Sequence, residues 1–247
     1  MLPLLACAGE PDDATEAGAD IQERLAQFAP VTLSFDESLL DDGQRRVVRE
    51  LVQASDQLDD IFSRQAWRGN ADPTAFVPLD DSPESDATRQ YYRIMYGPWD
   101  RLEGEEAFID GAGHKPHGAG FYPENMTRDE FEEWIAANPD DEAQFKSEYT
   151  IIERDEDGNL MAVPYREAYG PFLEVAAEHL LAAAEWAENP SLKEFLTGRA
   201  AAFLSDDYYV SEVAWMRLTD NLIEPTIGPY ENYEDKLFGF KISYESF

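Results

Sequence analysis

A glutamate and a threonine lie two residues apart near the end of the chain, with Pro225 between Glu224 and Thr226. The surrounding stretch reads NLIEPTIGPYENYEDKLFGF and mixes turn residues, aromatic residues and carboxylates. If this run is extended, Glu224 and Thr226 share one face, because alternate residues of a strand do so. A carboxylate there could receive an α-ammonium group, whose pKa is about 7.7–8.0. The alternative is a strand residue that simply faces solvent.

The histidines of the chain form no recognisable metal site. His114 and His117 flank Lys-Pro, and Pro116 prevents their presentation on a helix, so a solvated loop is the simpler interpretation. His179 follows Glu178 in an alanine-rich stretch without a His-Glu-x-x-His pattern. The sequence also contains no Gly-rich phosphate loop and no G-x-S-x-G. It therefore predicts no catalytic residue and no metal ligand within this chain.

The charge balance excludes one class of partner. The 247 residues include 52 acidic and 19 basic residues, for a formal net charge of −33. Nucleic-acid binding depends on clustered Lys and Arg, so no nucleic-acid partner is expected. The basic residues are 14 Arg and 5 Lys. Scarce lysine with a large acidic excess is typical of a saline solvent, and an ordinary acidic protein is the alternative.

The amino terminus resembles part of a bacterial lipoprotein signal. Leu4-Leu5-Ala6 precedes Cys7, the single cysteine, and an acidic stretch with nothing to bury follows. We interpret residues 1–20 as a truncated lipoprotein signal and acidic linker, with lipidation at Cys7 as the one membrane contact. This predicts a cell-envelope location in a bacterium. A free cysteine at a frayed terminus of a cytoplasmic protein is the alternative.

Hydrophobic periodicity predicts a mainly helical chain, because apolar residues recur at spacings of three, four and seven. Helices are predicted over residues 22–67 with a start at Asp41, before Gly97-Pro98, after Thr127, over Pro171–Ala187, over Ser191–Leu204 and around Val213–Met216. The helices at Thr127 and Ser191 each begin with a capping box, in which a hydroxyl and a glutamate satisfy the terminal amides reciprocally.

Turn residues and one hairpin separate these helices. Residues 68–86 and 111–126 are turn-rich and predict loops. Residues 149–165 predict a β-hairpin, with apolar arms on either side of Asp157-Gly158. The predicted fold class is therefore α+β, mainly helical with a small antiparallel β part.

Five stretches carry a family resemblance. They read GPWDRL, GAGFYPENMTRDEFEEW, YTIIERDEDGNLMAVPYREAY, LSDDYYVSEVAWM and IEPTIGPYENYEDKLFGFKISYESF. Together they resemble the dipeptidyl peptidase III family of zinc metallopeptidases, in its shorter bacterial and plant-type members. The resemblance implies that residues 21–247 are the N-terminal part of such a domain, the N-terminal half of a bilobal metallopeptidase-like fold that lacks the zinc-binding lobe.

The resemblance also implies an activity for the parent protein. The zinc motif of the family, a His-Glu pair with a second His four residues later, lies beyond the part that resembles this chain. Zinc is thus expected in the parent enzyme and not in this chain, which we expect to be inactive alone.

The expected partner is a peptide substrate, bound by Glu224, Thr226, Tyr230 and Tyr233. Glu224 would receive the terminal ammonium, and an extended strand edge, left free by Pro225, would pair with the peptide. Thr226 stands where the family has a tyrosine. Tyr230 and Tyr233 would line the cleft or pack beneath it, with the lower position assigned to Tyr233.

Two further functions fit the sequence. One is a non-enzymatic peptide-binding lipoprotein of the cell envelope that keeps the same half-fold. The other is a hydrolase that uses a pair of carboxylates within this chain. The sequence leaves the oligomeric state and the substrate specificity open.

The acidic excess predicts that salt stabilises the fold, because counterions screen repulsion among the negative charges. The thermal unfolding midpoint should rise as sodium chloride is raised toward molar concentration. Differential scanning calorimetry measures this directly. A flat or falling midpoint would remove the saline interpretation and leave an ordinary acidic protein.

Overall fold

The structure is a computed structural model that describes residues 20–34 and 36–247. These residues form two compact units. The first combines the described residues up to Leu33 with Asp72–Lys115, and the second combines Ser34–Ala71 with Pro116–Phe247. Cys7 and the predicted signal lie outside the described residues. Lipidation therefore stays a prediction, which mass spectrometry of membrane-extracted protein would test.

Helices make up about half of the chain. They are α1, whose described part is residues 20–25, α2 (Asp42–Ala66), α3 (Pro83–Met95), α4 (Arg128–Ala137), α5 (Glu142–Phe145), α6 (Tyr165–Ala168), α7 (Gly170–Trp186), α8 (Pro190–Phe203) and α9 (Tyr209–Trp215). The described part of the chain contains no helix that is long and apolar enough to cross a membrane.

The described strands form two-stranded antiparallel pairs. These are β1 (Trp99–Asp100) with β2 (Glu106–Ala107), β3 (Thr150–Arg154) with β4 (Leu160–Pro164), and β5 (Ile227–Glu231) with β6 (Ser243–Ser246). The predicted hairpin is β3–β4, so both that element and the α+β fold class are confirmed.

Helix α2 begins where the sequence indicated. Asp41 accepts a hydrogen bond from the Gln44 amide at 2.8 Å, and the Gln44 side chain accepts one from the Asp41 amide at 3.0 Å. This reciprocal pair satisfies two terminal amides. The helical pattern predicted over residues 22–67 is interrupted between residue 25 and this start. Pro30 cannot donate to a helical ladder, and α-helix resumes at Asp42.

The start of α3 also differs from the prediction. The Ser82 hydroxyl accepts a hydrogen bond from the Ser85 amide, and Pro83 occupies the first helical position. Proline suits that position because its missing N–H would have no helical partner there. The predicted loop through Asp86 is therefore wrong at its end.

One of the two predicted capping boxes is present. The Thr127 hydroxyl accepts from the Glu130 amide, and the Glu130 carboxylate accepts in turn from the Thr127 amide. Both terminal nitrogens of Arg154 bind the same carboxylate, at 2.7 and 2.9 Å, and are the first cause of its lowered pKa. The box at Ser191 is wrong, because the preceding Asn189 caps α8 through its side-chain oxygen.

The core of the second unit is built on α7, which packs against both α2 and α8. Small side chains make the close approach of these helices possible. The buried alanines of α7 are Ala176, Ala177, Ala183 and Ala184. Larger side chains from the strand pairs complete the same core, among them the fully buried Ile152 and Tyr244.

The first unit is organised around a buried carboxylate. Asp100, in the GPWDRL stretch, has a side chain that is 1% exposed and accepts hydrogen bonds from Arg24 at 2.5 Å and the Tyr91 hydroxyl at 2.8 Å. The Leu102 and Glu103 amides bind its other oxygen. Burial opposes ionisation of Asp100, but these donors, with Tyr91 first, outweigh burial and lower its pKa. The charged carboxylate thereby joins α1 to α3.

Asp100→Asn keeps the side-chain shape but removes the charge, so it should destabilise the first unit by about 1.5–3 kcal/mol at pH 7. Hydrogen exchange of α3 amides measures this change. Since the folded-state pKa of Asp100 is lowered, its contribution is present above the unfolded pKa of about 3.9 and is lost as pH falls through the folded value. The difference between variant and wild type should therefore vanish in acid.

The exposed Asp110 in the same unit provides a matched control. Asp110→Asn should leave exchange within about 0.5 kcal/mol of wild type. Equal effects of the two substitutions would show that the Asp100 network does not hold the unit together.

Candidate functional site

The candidate segment forms the strand pair β5–β6. Thr226 and Phe247 exchange both backbone hydrogen bonds, at 3.0 and 2.8 Å, and Gly228 lies opposite Glu245 two residues further along. A two-stranded sheet is marginal by itself in water. Contacts outside the pair must therefore hold it in place, and they come from a turn, a lysine and a glutamine.

The turn between the two strands is built on Asp235, which is 3% exposed. Its carboxylate accepts five hydrogen bonds, one of them from the buried Tyr122 hydroxyl at 2.8 Å. The other donors are the backbone amides of Leu237, Phe238, Phe240 and Lys241. Amides in a reversing chain have no ladder partner, so the carboxylate takes the place of one. This fixes where β6 begins.

Lys241 anchors the same turn to the core from below. Its ammonium donates to the backbone oxygens of Phe145 and Ser147 at 2.7 and 2.8 Å, and to the Thr150 hydroxyl at 2.7 Å. The side chain is fully buried. Burial lowers the pKa of Lys241 to about 7, and the nearby Asp235 carboxylate opposes that shift. The turn is thereby tied to the start of β3.

The outer edge of β6 is covered by a side chain of α2. The Gln65 amide oxygen accepts from the Tyr244 amide at 2.8 Å, and its nitrogen donates to the Ile242 oxygen at 3.4 Å. The glutamine thus pairs with β6 as a strand backbone would. Gly120 packs directly against this helix end, because a Cβ there would lie 1.9 Å from the Arg64 oxygen.

The structure places Glu224 and Thr226 on the accessible side of the segment. Glu224 is exposed and Thr226 half-buried, whereas Pro225 between them is buried. This alternation is the one expected from the sequence. Glu224 makes no hydrogen bond or ion pair with any residue the structure describes. Its backbone is held from both sides, by the Thr226–Phe247 pair and by the Asn221 side chain, which donates to the Ile223 oxygen at 2.9 Å.

The expected open strand edge differs from the structure. Antiparallel alternation turns the backbone groups of residues 225, 227 and 229 away from β6, toward the edge where a peptide would pair. All three residues are buried, and the two prolines lack an N–H. The accessible parts of this segment are therefore the Glu224 side chain and portions of the Thr226 and Tyr230 side chains, and not its edge.

The two predicted tyrosines lie in different surroundings. Tyr230 sits at a bulge between Pro229 and Glu231, half-buried, and burial raises its pKa to about 12. Tyr233 lies in the following turn and is 54% exposed, so it does not pack beneath the segment. Tyr230 therefore belongs with Glu224 and Thr226, and Tyr233 stands apart from them.

Sequence reasoning missed the buried cation next to this face, Arg199 of α8. It is 0% exposed, and its Nη1 atom lies 2.3 Å from the position that a Cβ of Gly228 would take. The spacing of the apolar residues in α8 could have indicated that Arg199 is buried. The buried stripe of α8 is Leu192, Phe195, Leu196, Arg199 and Phe203. An arginine at a position of the apolar stripe needs a specific partner inside the fold.

The described residues do not fit a metal ion. They contain no group of three or more His, Cys, Asp or Glu side chains able to hold one. His179 instead forms a 2.7 Å contact through Nδ1 with Glu50 of α2. We therefore derive no chemical step through zinc from this part of the chain.

The described residues thus form a mainly helical α+β fold. Its last segment is the bulged strand pair β5–β6, with Glu224 exposed just before it. Solved structures similar to this chain include the following two. "Structure of DPP III from Caldithrix abyssi" is 47% identical and covers 92% of this chain, with a TM-score of 0.87. "Structure of dipeptidyl-peptidase III from Corallococcus sp. strain EGB" is 39% identical and covers 93%, also with a TM-score of 0.87. The resemblance to dipeptidyl peptidase III is thereby confirmed.

The chain spans less than half the length of these proteins. It covers 43% of each of the two solved chains. A curated relative, Nudix hydrolase 3 of Arabidopsis thaliana, is 31% identical over 286 residues, which cover 94% of this chain and 37% of that protein. No protein-family model matches the chain.

The lowered pKa of Lys241 predicts a pH-dependent stability. Between pH 7 and about 10.5 the unfolded chain binds the proton that the folded chain releases, so the free energy of unfolding should rise with pH. The rise is at most about 1.4 kcal/mol per pH unit for one proton. Lys241→Met should lack this rise. In urea denaturation, the free energy of unfolding of wild type relative to the variant should therefore increase from pH 7 to 9.5.

The exposed Lys193 of α8 supplies the control. Lys193→Met should differ from wild type by the same amount at every pH. A pH-independent gap for Lys241→Met would mean that the buried lysine keeps an ordinary pKa.

Proposed function

We propose that this chain is the N-terminal portion of a dipeptidyl peptidase III-like, zinc-dependent peptidase, and that the face formed by Glu224, Thr226 and Tyr230 binds the peptide substrate. The likeness to two proteins of that name over more than nine-tenths of the chain supports the proposal. The shared length, 43% of each, supports the inference that further parts of such a protein complete the site.

The single observation that carries the proposal is the state of Glu224. It is an exposed carboxylate, unpaired in the described part of the chain, on a backbone fixed by hydrogen bonds before and after it. Most exposed carboxylates of so acidic a chain lie on ordinary surface. Glu224 directly precedes the hydrogen-bond ladder between β5 and β6, and the turn at the other end of that ladder is anchored in the core. The position of Glu224 is therefore set before a ligand binds.

The chemistry of this chain is binding and orientation. The Glu224 carboxylate suits an α-ammonium group, which is charged at neutral pH. An ion pair at the first residue would fix the register of an extended peptide along the face. Thr226 then offers a hydroxyl two residues on, and Tyr230 limits the far end. Zinc in the longer protein would supply Lewis-acid chemistry, with ligands from outside these residues.

Glu224→Gln in the full-length protein should weaken the binding of peptides with free amino termini by about ten- to a hundredfold, because one charge-assisted bond of about 1.5–3 kcal/mol is lost. Acetylated peptides should bind poorly to both forms. Fluorescence anisotropy with labelled tetrapeptides measures affinity, and the release of dipeptides measures activity.

Glu231→Gln is the matched control, since Glu231 is also an exposed glutamate at an end of β5. It should leave both peptide classes unaffected. If Glu224→Gln also changes neither class, Glu224 is a solvent-facing residue and the proposed ammonium site is wrong. If the wild-type protein does not release dipeptides, the peptidase assignment itself fails.

A further inference from the structure

Arg199 is buried with only part of its hydrogen-bonding capacity used. Its Nη2 donates to the Glu212 carboxylate of α9 at 2.5 Å. Its Nε and Nη1 make no hydrogen bond of good geometry with the described residues, and only a weaker interaction with the Tyr230 hydroxyl adds to the bond with Glu212. A buried guanidinium with unused donors is costly, so its place in the fold calls for a physical reason.

Aromatic rings enclose the guanidinium on several sides. Its central carbon lies 5.3 Å from the ring centre of Phe195, 5.4 Å from that of Tyr208 and 5.6 Å from that of Tyr230. Ring faces attract a cation at these distances and offset part of the missing hydrogen bonding. The rings and Glu212 together hold the group in one position.

That position is the space that a side chain of residue 228 would occupy. A Cβ on Gly228 would lie 2.3 Å from Nη1 of Arg199, far inside van der Waals contact. Gly228 also has a φ of +151°, which favours glycine. Side chains at alternate positions of a strand share one side, so the guanidinium fills the space between the half-buried Thr226 and Tyr230 side chains on their own side of the segment, where Gly228 is buried.

The strand above it lacks intrinsic support. The sequence of β5 is Ile-Gly-Pro-Tyr-Glu, and glycine and proline weaken a strand interior. The bulge removes a further regular pair. Contacts from outside the strand pair must therefore set its shape, and the Arg199 guanidinium supplies one of them at Gly228.

We propose that Arg199 is a positioning residue for the peptide-binding face. Held by Glu212 and the rings, it takes the place of the absent side chain at residue 228 and fixes the path of β5 between Thr226 and Tyr230. It does not contact the peptide. This inference rests on the proposed function, and its first test is independent of any peptide.

The first test is a double-mutant cycle for thermal stability in the 247-residue chain. Gly228→Ala should lower the unfolding midpoint by about 4 °C or more, because the new Cβ meets Nη1. Arg199→Lys keeps a charge for Glu212 but is too short to fill the same space. In the Arg199→Lys background, Gly228→Ala should lower the midpoint by less than it does in wild type. The backbone strain at residue 228 is the same in both backgrounds, so the difference between the two falls reports the contact with Arg199.

Gly198→Ala is the control for the glycine change. Its Cβ would lie 3.6 Å from the nearest atom, in ordinary contact, so the midpoint should not fall. Equal costs of Gly228→Ala in the two backgrounds would overturn the contact between Arg199 and residue 228.

The second test measures peptide affinity in the full-length protein at 20 °C, well below the unfolding transition. Arg199→Lys and Gly228→Ala should each weaken the binding of free-amino-terminus peptides by about tenfold, and the double variant should bind better than Gly228→Ala alone. The affected quantity should be KM more than kcat.

The possible outcomes distinguish the positioning role of Arg199 from the proposed peptide-binding function. Lower midpoints with unchanged affinity would show that Arg199 only fills the core, and the positioning role would be wrong. A coupled stability cycle in a protein that binds no peptide would instead defeat the proposed function and leave the Arg199–Gly228 contact intact.

Discussion

The carboxylate of Asp235 accepts hydrogen bonds from four backbone amides of one turn and from the Tyr122 hydroxyl. These amides belong to a chain that is reversing direction, and without the carboxylate they would be buried without an acceptor. β6 follows this turn, and β5 has its described ladder partner in β6. The position of Glu224 therefore depends on a carboxylate eleven residues later in the sequence.

Few basic residues exist in this chain, and several of them are structural. The fully buried Lys241 and Arg199 are enclosed by backbone oxygens and by rings with Glu212, and the partly exposed Arg24 pairs with two aspartates. A neighbouring carboxylate lowers the cost of keeping each cation in the fold: Asp235 near Lys241, Glu212 at Arg199 and Asp100 at Arg24. The acidic excess and the buried cations are thus complementary. The exposed carboxylates repel one another, while the buried basic side chains Lys241 and Arg199 make specific contacts inside the fold.

The candidate site is a face and not an edge. Gln65 pairs with the outer backbone groups of β6, and the outward-turned residues of β5 are buried. Side chains at alternate positions remain accessible, which favours recognition of charge and shape over the addition of a strand. Between Thr226 and Tyr230, Gly228 leaves space that the buried Arg199 guanidinium fills from the side of α8. Such a face is set before binding and needs little rearrangement to receive an extended ligand.

The sequence by itself determined the α+β class, the start of α2, the β3–β4 hairpin and the opposite orientations of Glu224 and Pro225. These depend on local periodicity, capping and turn chemistry, which act over a few residues. Tertiary structure decided that Gln65 closes the edge of β6 and that Arg199 fills the side-chain space of Gly228. Both pairs join residues far apart in the sequence. No local pattern encodes such a pair, because the free energy that selects it arises only when the burial of both groups has removed water as a competing partner.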